Sequence, residues 1–173
     1  PLLPYALLLL AVLIVLLIFN LMGLIFLGDG GAYLLGFVLG WIAVMVAMRN
    51  PSISPWAPML ACGYPIIEVL LSMARRQART LKLGNPDRLH LHSLIWARVT
   101  RKWLIGRSTV VQNATVMPIM LLYALIPATL AIIYRKNTIA LIICFVISVL
   151  IYVLIYARLV NFRWRLPTVR LKK

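Results

Sequence analysis

Only five side chains in this 173-residue sequence can act as carboxylate or imidazole groups: Asp29, Glu68, Asp87, His90 and His92. Asp29 is set among glycines, in Gly28-Asp29-Gly30-Gly31 between two apolar runs. One reading is a helix-joining turn in which Gly28 ends one helix and Asp29 caps the next. The other is a magnesium ligand, because Mg2+ takes one or two carboxylates and fills its shell with waters and phosphates. Flanking glycines would let a bulky diphosphate come close to the backbone. Glu68, in Pro65-Ile66-Ile67-Glu68, lies inside an apolar run, roughly 10 Å of helix from Arg75. An ionisable group at such a depth is either functional or held by a partner such as an arginine.

The densest cluster is Asn85-Pro86-Asp87-Arg88-Leu89-His90-Leu91-His92. Pro86-Asp87 reads as a helix start with Asp87 as N-cap. Beyond it, Leu91, Leu94, Ile95, Val99 and Trp103 keep helical spacing, with Arg98, Arg101 and Lys102 off the stripe. A short interfacial helix is expected, its N-terminus an anion site beside Arg88, His90 and His92. The two histidines diverge on a regular helix and share a side in an extended turn. Two histidines without a nearby cysteine make a poor zinc site. Phosphate or nucleotide contacts suit the cluster better. Wetting by anionic lipid headgroups would explain the basic residues but not the His-x-His.

The elements that must position these groups are apolar. Hydrophobic residues make up 64% of the chain and charged ones 12%, with a mean hydropathy of +1.00. A soluble domain carries roughly 45–50% apolar residues and about 25% charged, so a soluble, disordered or disulfide-stapled chain is excluded. Cys62 and Cys144 sit in apolar segments, and no disulfide is expected. The expected fold class is all-α: a polytopic membrane protein of five spanning helices, over residues 5–27, 32–48, 56–73, 114–134 and 138–157. They form a single domain. Gly36 and Gly40 form a GxxxG pair, which predicts close helix packing.

Lys and Arg number eighteen, for a formal net charge of +15. In a soluble protein that would point to nucleic acid; here no nucleic-acid partner is expected, because the cations lie in blocks between spans. Fifteen fall in the 74–113 loop and the 158–173 tail, against Arg49, Arg135 and Lys136 on the other side. The loop, the tail and Gly28–Gly31 are therefore expected on the cytoplasmic face. The start at Pro1, directly before an apolar run, reads as the C-terminal piece of a longer chain.

Taken in order, Phe26-Leu27-Gly28-Asp29-Gly30-Gly31-Ala32 with Leu35-Gly36, then Pro65-Ile66-Ile67-Glu68, Arg75-Arg76 and Pro86-Asp87-Arg88-Leu89-His90-Leu91-His92, resemble a known family. They are similar to the motifs of the polyprenyl-phosphate N-acetylhexosamine-1-phosphate transferases, in the branch that initiates O-antigen and enterobacterial common antigen. The phospho-N-acetylmuramoyl-pentapeptide transferases are a more distant likeness. Three positions depart from the family pattern: Glu68 stands for Asp, Ser93 for a second His, and Gly31-Ala32 for Gly-Ser.

The resemblance implies the C-terminal half of an enzyme of the bacterial inner membrane. It would transfer a sugar 1-phosphate from a UDP-sugar to undecaprenyl phosphate and release UMP. It also implies Mg2+, or Mn2+, held by Asp29, with Arg88, His90 and His92 on the nucleotide diphosphate. Glu68, Asp87, Gly28 and Gly30 would support that site. An adjacent aspartate pair is expected upstream, so this segment alone would be inactive. Partners implied are the UDP-sugar, the lipid phosphate, membrane lipids and the N-terminal half, and a homodimer is compatible with all of this. The rival from another class is a transporter segment using Glu68 as an ion or proton site.

Overall fold

The computed structural model describes residues 2–25, 27–78 and 89–161. Among them every regular element is helical. Helix α1 (Leu3–Leu21) carries Pro4 in its first turn, where the missing N–H needs no helical partner. It ends six residues short of the expected boundary. Gly23 adopts φ +72°, its N–H bonds Asn20 O at 2.9 Å, and Leu24 N–H bonds Phe19 O at 3.0 Å. That pair of bonds is a Schellman stop, and it overrides an apolar run that continues past it.

Helix α2 (Gly28–Arg49) then begins four residues earlier than expected. The glycine-rich segment is its first turn and not a connector, and Asp29 is inside the helix instead of capping it. The expected third span is divided into α3 (Trp56–Ala61) and α4 (Gly63–Ala78). Pro65 has no N–H to offer the Ala61 carbonyl, so the ladder breaks around Cys62. Neither piece is long and apolar enough to cross a bilayer alone. Among the described residues four stretches are: Leu3–Leu21, Gly28–Arg49, Thr109–Ile133 and Thr138–Asn161.

Between α4 and those last two lies a segment that departs most from expectation. Helix α5 (Leu91–Ile95) passes into a π-helical turn (Trp96–Thr100) and a short α6 (Arg101–Trp103). Its start is at Leu91 with His90 at the cap position, so Asp87 is not the N-cap. The stripe is also not spread on a surface. Leu91, Leu94 and Ile95 are 5% exposed or less, clustered with Ile67, Val116, Tyr152 and Leu159. The apolar side of the expected interfacial helix is thus wedged into the protein core, and of that stripe only Trp103 is exposed.

Helix α7 (Thr109–Ala114) runs almost directly into α8 (Val116–Ile133), and α9 (Thr138–Asn161) returns beside it. Ser108 Oγ accepts the Val111 N–H at the start of α7, and buried Gln112 donates to the Leu104 and Arg107 carbonyls. At the opposite end, Thr138 Oγ1 donates to Ser54 Oγ at 2.9 Å, and Ser54 N–H bonds the Arg135 carbonyl at 2.8 Å. A second core of Ala57, Leu60, Ala131 and Leu141 locks α3 against α8 and α9 at that end.

Among the described residues the GxxxG expectation is not met: a Cβ added at Gly36 or Gly40 would meet none of them within 4 Å. These glycines instead border an open apolar cavity of about 680 Å3 between α2 and the broken α3–α4 pair, bounded opposite by Pro58, Cys62 and Pro65.

Candidate functional site

Glu68 is the hub. It sits on α4, 7% exposed, and both of its oxygens are occupied. Oε1 lies 3.0 Å from His90 Nδ1 and 3.9 Å from an Arg75 guanidinium nitrogen. Oε2 accepts the Leu91 backbone N–H at 3.1 Å and the Tyr64 hydroxyl at 3.4 Å. An unpaired buried carboxylate would cost several kcal/mol. Charge-assisted bonds of about 1.5–3 kcal/mol each offset that cost here. Glu68 therefore ties the segment that carries His90 to α4, across 22 residues of sequence.

His90 is extended (φ −67°, ψ 146°), and His92 is the second residue of α5. This bend at the helix entry lets the two rings share a side. They lie parallel, with centroids 5.7 Å apart and planes 7° from coplanar. Burial holds the His92 pKa below its ordinary value, and His90 pushes it the same way while Glu68 opposes.

Aromatic rings wall the cluster. Tyr64 meets Tyr123 edge to face at 5.8 Å, Tyr152 stacks on Tyr156 at 6.2 Å, and Arg75 lies 4.9 Å over the Tyr156 ring. The Tyr152 side chain is fully buried. Its hydroxyl lies beside Glu68 and Arg75 without a well-formed hydrogen bond. Reading the sequence missed these tyrosines. Tyr64 was findable, since it stands one helical turn before Glu68; Tyr152, on α9, offers no such local signal.

Asp29 stands apart in chemistry. It is exposed in the first turn of α2, and its carboxylate has no hydrogen bond or ion pair with a described residue. Gly28 before it adopts φ +63°, a conformation that favours glycine, while a Cβ at Gly30 would meet open space. A single free, exposed carboxylate fits Mg2+, which needs few protein ligands and keeps its waters. Among the described residues, no three His, Cys, Asp or Glu side chains converge into a closed metal cage. Asp87 and Arg88 lie outside the described residues.

Fold and site together define a helical membrane protein that presents a carboxylate-anchored histidine pair at the end of its helical bundle. Comparison with known proteins gives that class a narrower likeness. The chain is similar to proteins named undecaprenyl-phosphate alpha-N-acetylglucosaminyl 1-phosphate transferase. The Salmonella typhi protein is 31% identical over 72 residues, that of Escherichia coli K12 is 32% identical, and that of Pasteurella multocida is 31% identical. In each case the match covers 41% of this chain and 20% of the relative, about a fifth of its length. These names fall within the family that the order of motifs resembles. No protein-family profile matches the chain, and no solved structure matches it.

Proposed function

We propose that this chain is part of a membrane enzyme that transfers a sugar 1-phosphate, an N-acetylhexosamine 1-phosphate, from a UDP-sugar to undecaprenyl phosphate. The product would initiate O-antigen or another lipopolysaccharide or cell-envelope polysaccharide. The observation that carries the reading is the 72-residue similarity to transferases that name this lipid phosphate as their substrate. The histidine pair at the entry of α5 adds to it, because imidazoles and an adjacent arginine are suited to phosphate oxygens. Engagement of both Glu68 oxygens by protein groups supports this reading over a transport site at Glu68.

In the proposed reaction an oxygen of the lipid phosphate attacks the phosphorus that bears the sugar. The bond from that phosphorus to the bridging oxygen breaks, and UMP leaves with the electron pair. Asp29 would hold Mg2+, which supplies positive charge against the diphosphate. Arg88, His90 and His92 would hold the nucleotide diphosphate, and Glu68, Asp87, Gly28 and Gly30 would shape the loop and the turn around them. The full-length protein in lipid nanodiscs should release UMP from UDP-N-acetylglucosamine or a related UDP-sugar, only when undecaprenyl phosphate and Mg2+ are both present. Silence with every UDP-N-acetylhexosamine tried would end the proposal.

The same reading places the 74–113 loop on the cytoplasmic face of the bacterial inner membrane, motivated by its cations. Ser54 is buried and bonded, so exposed Ser52 and Lys102 are the better reporters. In intact cells, a membrane-impermeant thiol reagent should label Ser52→Cys and leave Lys102→Cys untouched. Labelling of Lys102→Cys alone would invert the topology.

A further inference from the structure

We propose that Glu68 is a positioning residue that fixes the tautomer of His90, keeping the hydrogen on Nδ1 and leaving Nε2 as the edge that meets an anionic substrate. The inference deepens the transferase reading and rests on it for what the substrate is. Its basis is how Glu68 uses its two oxygens. One meets the ring nitrogen of His90 at 3.0 Å, and the other accepts the backbone N–H of the next residue, Leu91, at 3.1 Å. Ring and backbone are therefore held by one rigid group, which sets the rotation of the imidazole as well as its position.

An ionised carboxylate only accepts hydrogen bonds. Nδ1 of His90 must then be the donor, in the neutral ring and in the protonated one alike. The Arg75 guanidinium, 3.9 Å from the same oxygen, gives the carboxylate a cationic neighbour. The polar groups around the couple are Tyr64 and Arg75 from α4, His92 from α5, Tyr123 from α8, and Tyr152 and Tyr156 from α9. In the doubly protonated form of the ring, Nε2–H is the edge not engaged by Glu68, and it can donate to a phosphate oxygen. Charge-assisted bonds of that kind are roughly twice as strong as neutral ones.

Two substitutions separate this role from simple packing. Glu68→Gln is the closer match in size, and its amide oxygen can still accept the Leu91 N–H. Its NH2 would then face His90 Nδ1, so the hydrogen must move to Nε2 and a doubly protonated ring would meet a donor. Glu68→Asp is shorter but remains acceptor-only. A packing role ranks Gln above Asp; a tautomer lock ranks Asp above Gln.

The test uses full-length protein in nanodiscs with 15N-labelled histidine, the His90 signals being assigned by their loss in His90→Asn. With the ring neutral, the wild type and Glu68→Asp should show a protonated Nδ1 and a bare Nε2, and Glu68→Gln the reverse. Binding of Mg2+-UMP, read by calorimetry, should weaken about tenfold in Glu68→Gln and less in Glu68→Asp. A bare Nδ1 in the wild type, an unchanged tautomer in Glu68→Gln, or tighter UMP binding in Gln than in Asp would each overturn the inference. Should Glu68→Gln fail to fold, the wild-type and Glu68→Asp tautomers still decide it. A correct tautomer in a wild type that binds no UMP would retain the lock and discard the transferase reading instead.

Discussion

In the full-length protein, Asp29→Asn is expected to lower Mg2+-dependent UMP release on the order of 10^3-fold or more while folded protein remains in the membrane. The size of the effect follows from what the carboxylate has to do. A carboxamide matches the shape and keeps a carbonyl oxygen, but the negative charge that Mg2+ needs is gone. Folding should be nearly indifferent. The side chain is exposed and has no partner among the described residues, so what is lost is its favourable place at the positive end of α2, about 0.3–1 kcal/mol. Activity and thermal stability should therefore separate cleanly. Normal UMP release by the variant would reduce Asp29 to a helix-end charge and remove the metal site from this segment.

That separation also marks what a linear sequence can and cannot convey. Apolar runs announce helices, and α2, α8 and α9 are where hydropathy puts them, because twenty apolar residues have little alternative in a bilayer. Boundaries fare worse wherever a local backbone event interrupts a run without changing its composition. Leu21 to Leu27 reads as uninterrupted helix, yet the positive φ at Gly23 stops α1 inside it. Trp56 to Met73 reads as one span, yet Pro65 leaves the Ala61 carbonyl without a donor and the helix restarts at Gly63. Burial is harder still. The stripe of Leu91, Leu94 and Ile95 was visible, but amphipathicity does not say whether its apolar side meets lipid or protein; contact with Ile67, Tyr152 and Leu159 does.

The site shows the same division. Glu68 and His90 could each be singled out by residue type, because a lone carboxylate in an apolar run and a His-x-His are rare in such a sequence. Their pairing could not be read, since it joins residues 22 apart on two elements and depends on which face of α4 meets the start of α5. The parallel stacking of His90 and His92 needed only the extended cap at His90, one of the two conformations that the spacing allowed. The place of the Tyr152 hydroxyl beside Glu68 and Arg75 needed the packing of α9 against α4.

His90→Asn is expected to lower kcat/KM for the UDP-sugar by about 10^2-fold in the full-length protein, with the KM for undecaprenyl phosphate nearly unchanged. Asparagine is chosen because its amide N–H can stand near the position of Nδ1 and still donate to Glu68. The buried carboxylate thus keeps a partner, and the Leu91 N–H and Tyr64 hydroxyl bonds to it are untouched. What disappears is the far edge of the ring. If that edge grips the nucleotide diphosphate, the loss falls on the soluble substrate. Arg88→Lys should act in the same direction, because an ammonium retains the charge but not the bidentate fork. His92→Asn should cost less, since no carboxylate fixes the rotation of that ring as Glu68 fixes the ring of His90. A rise in the KM for the lipid alone would move the histidine pair to the lipid phosphate and leave the UDP-sugar to be held elsewhere.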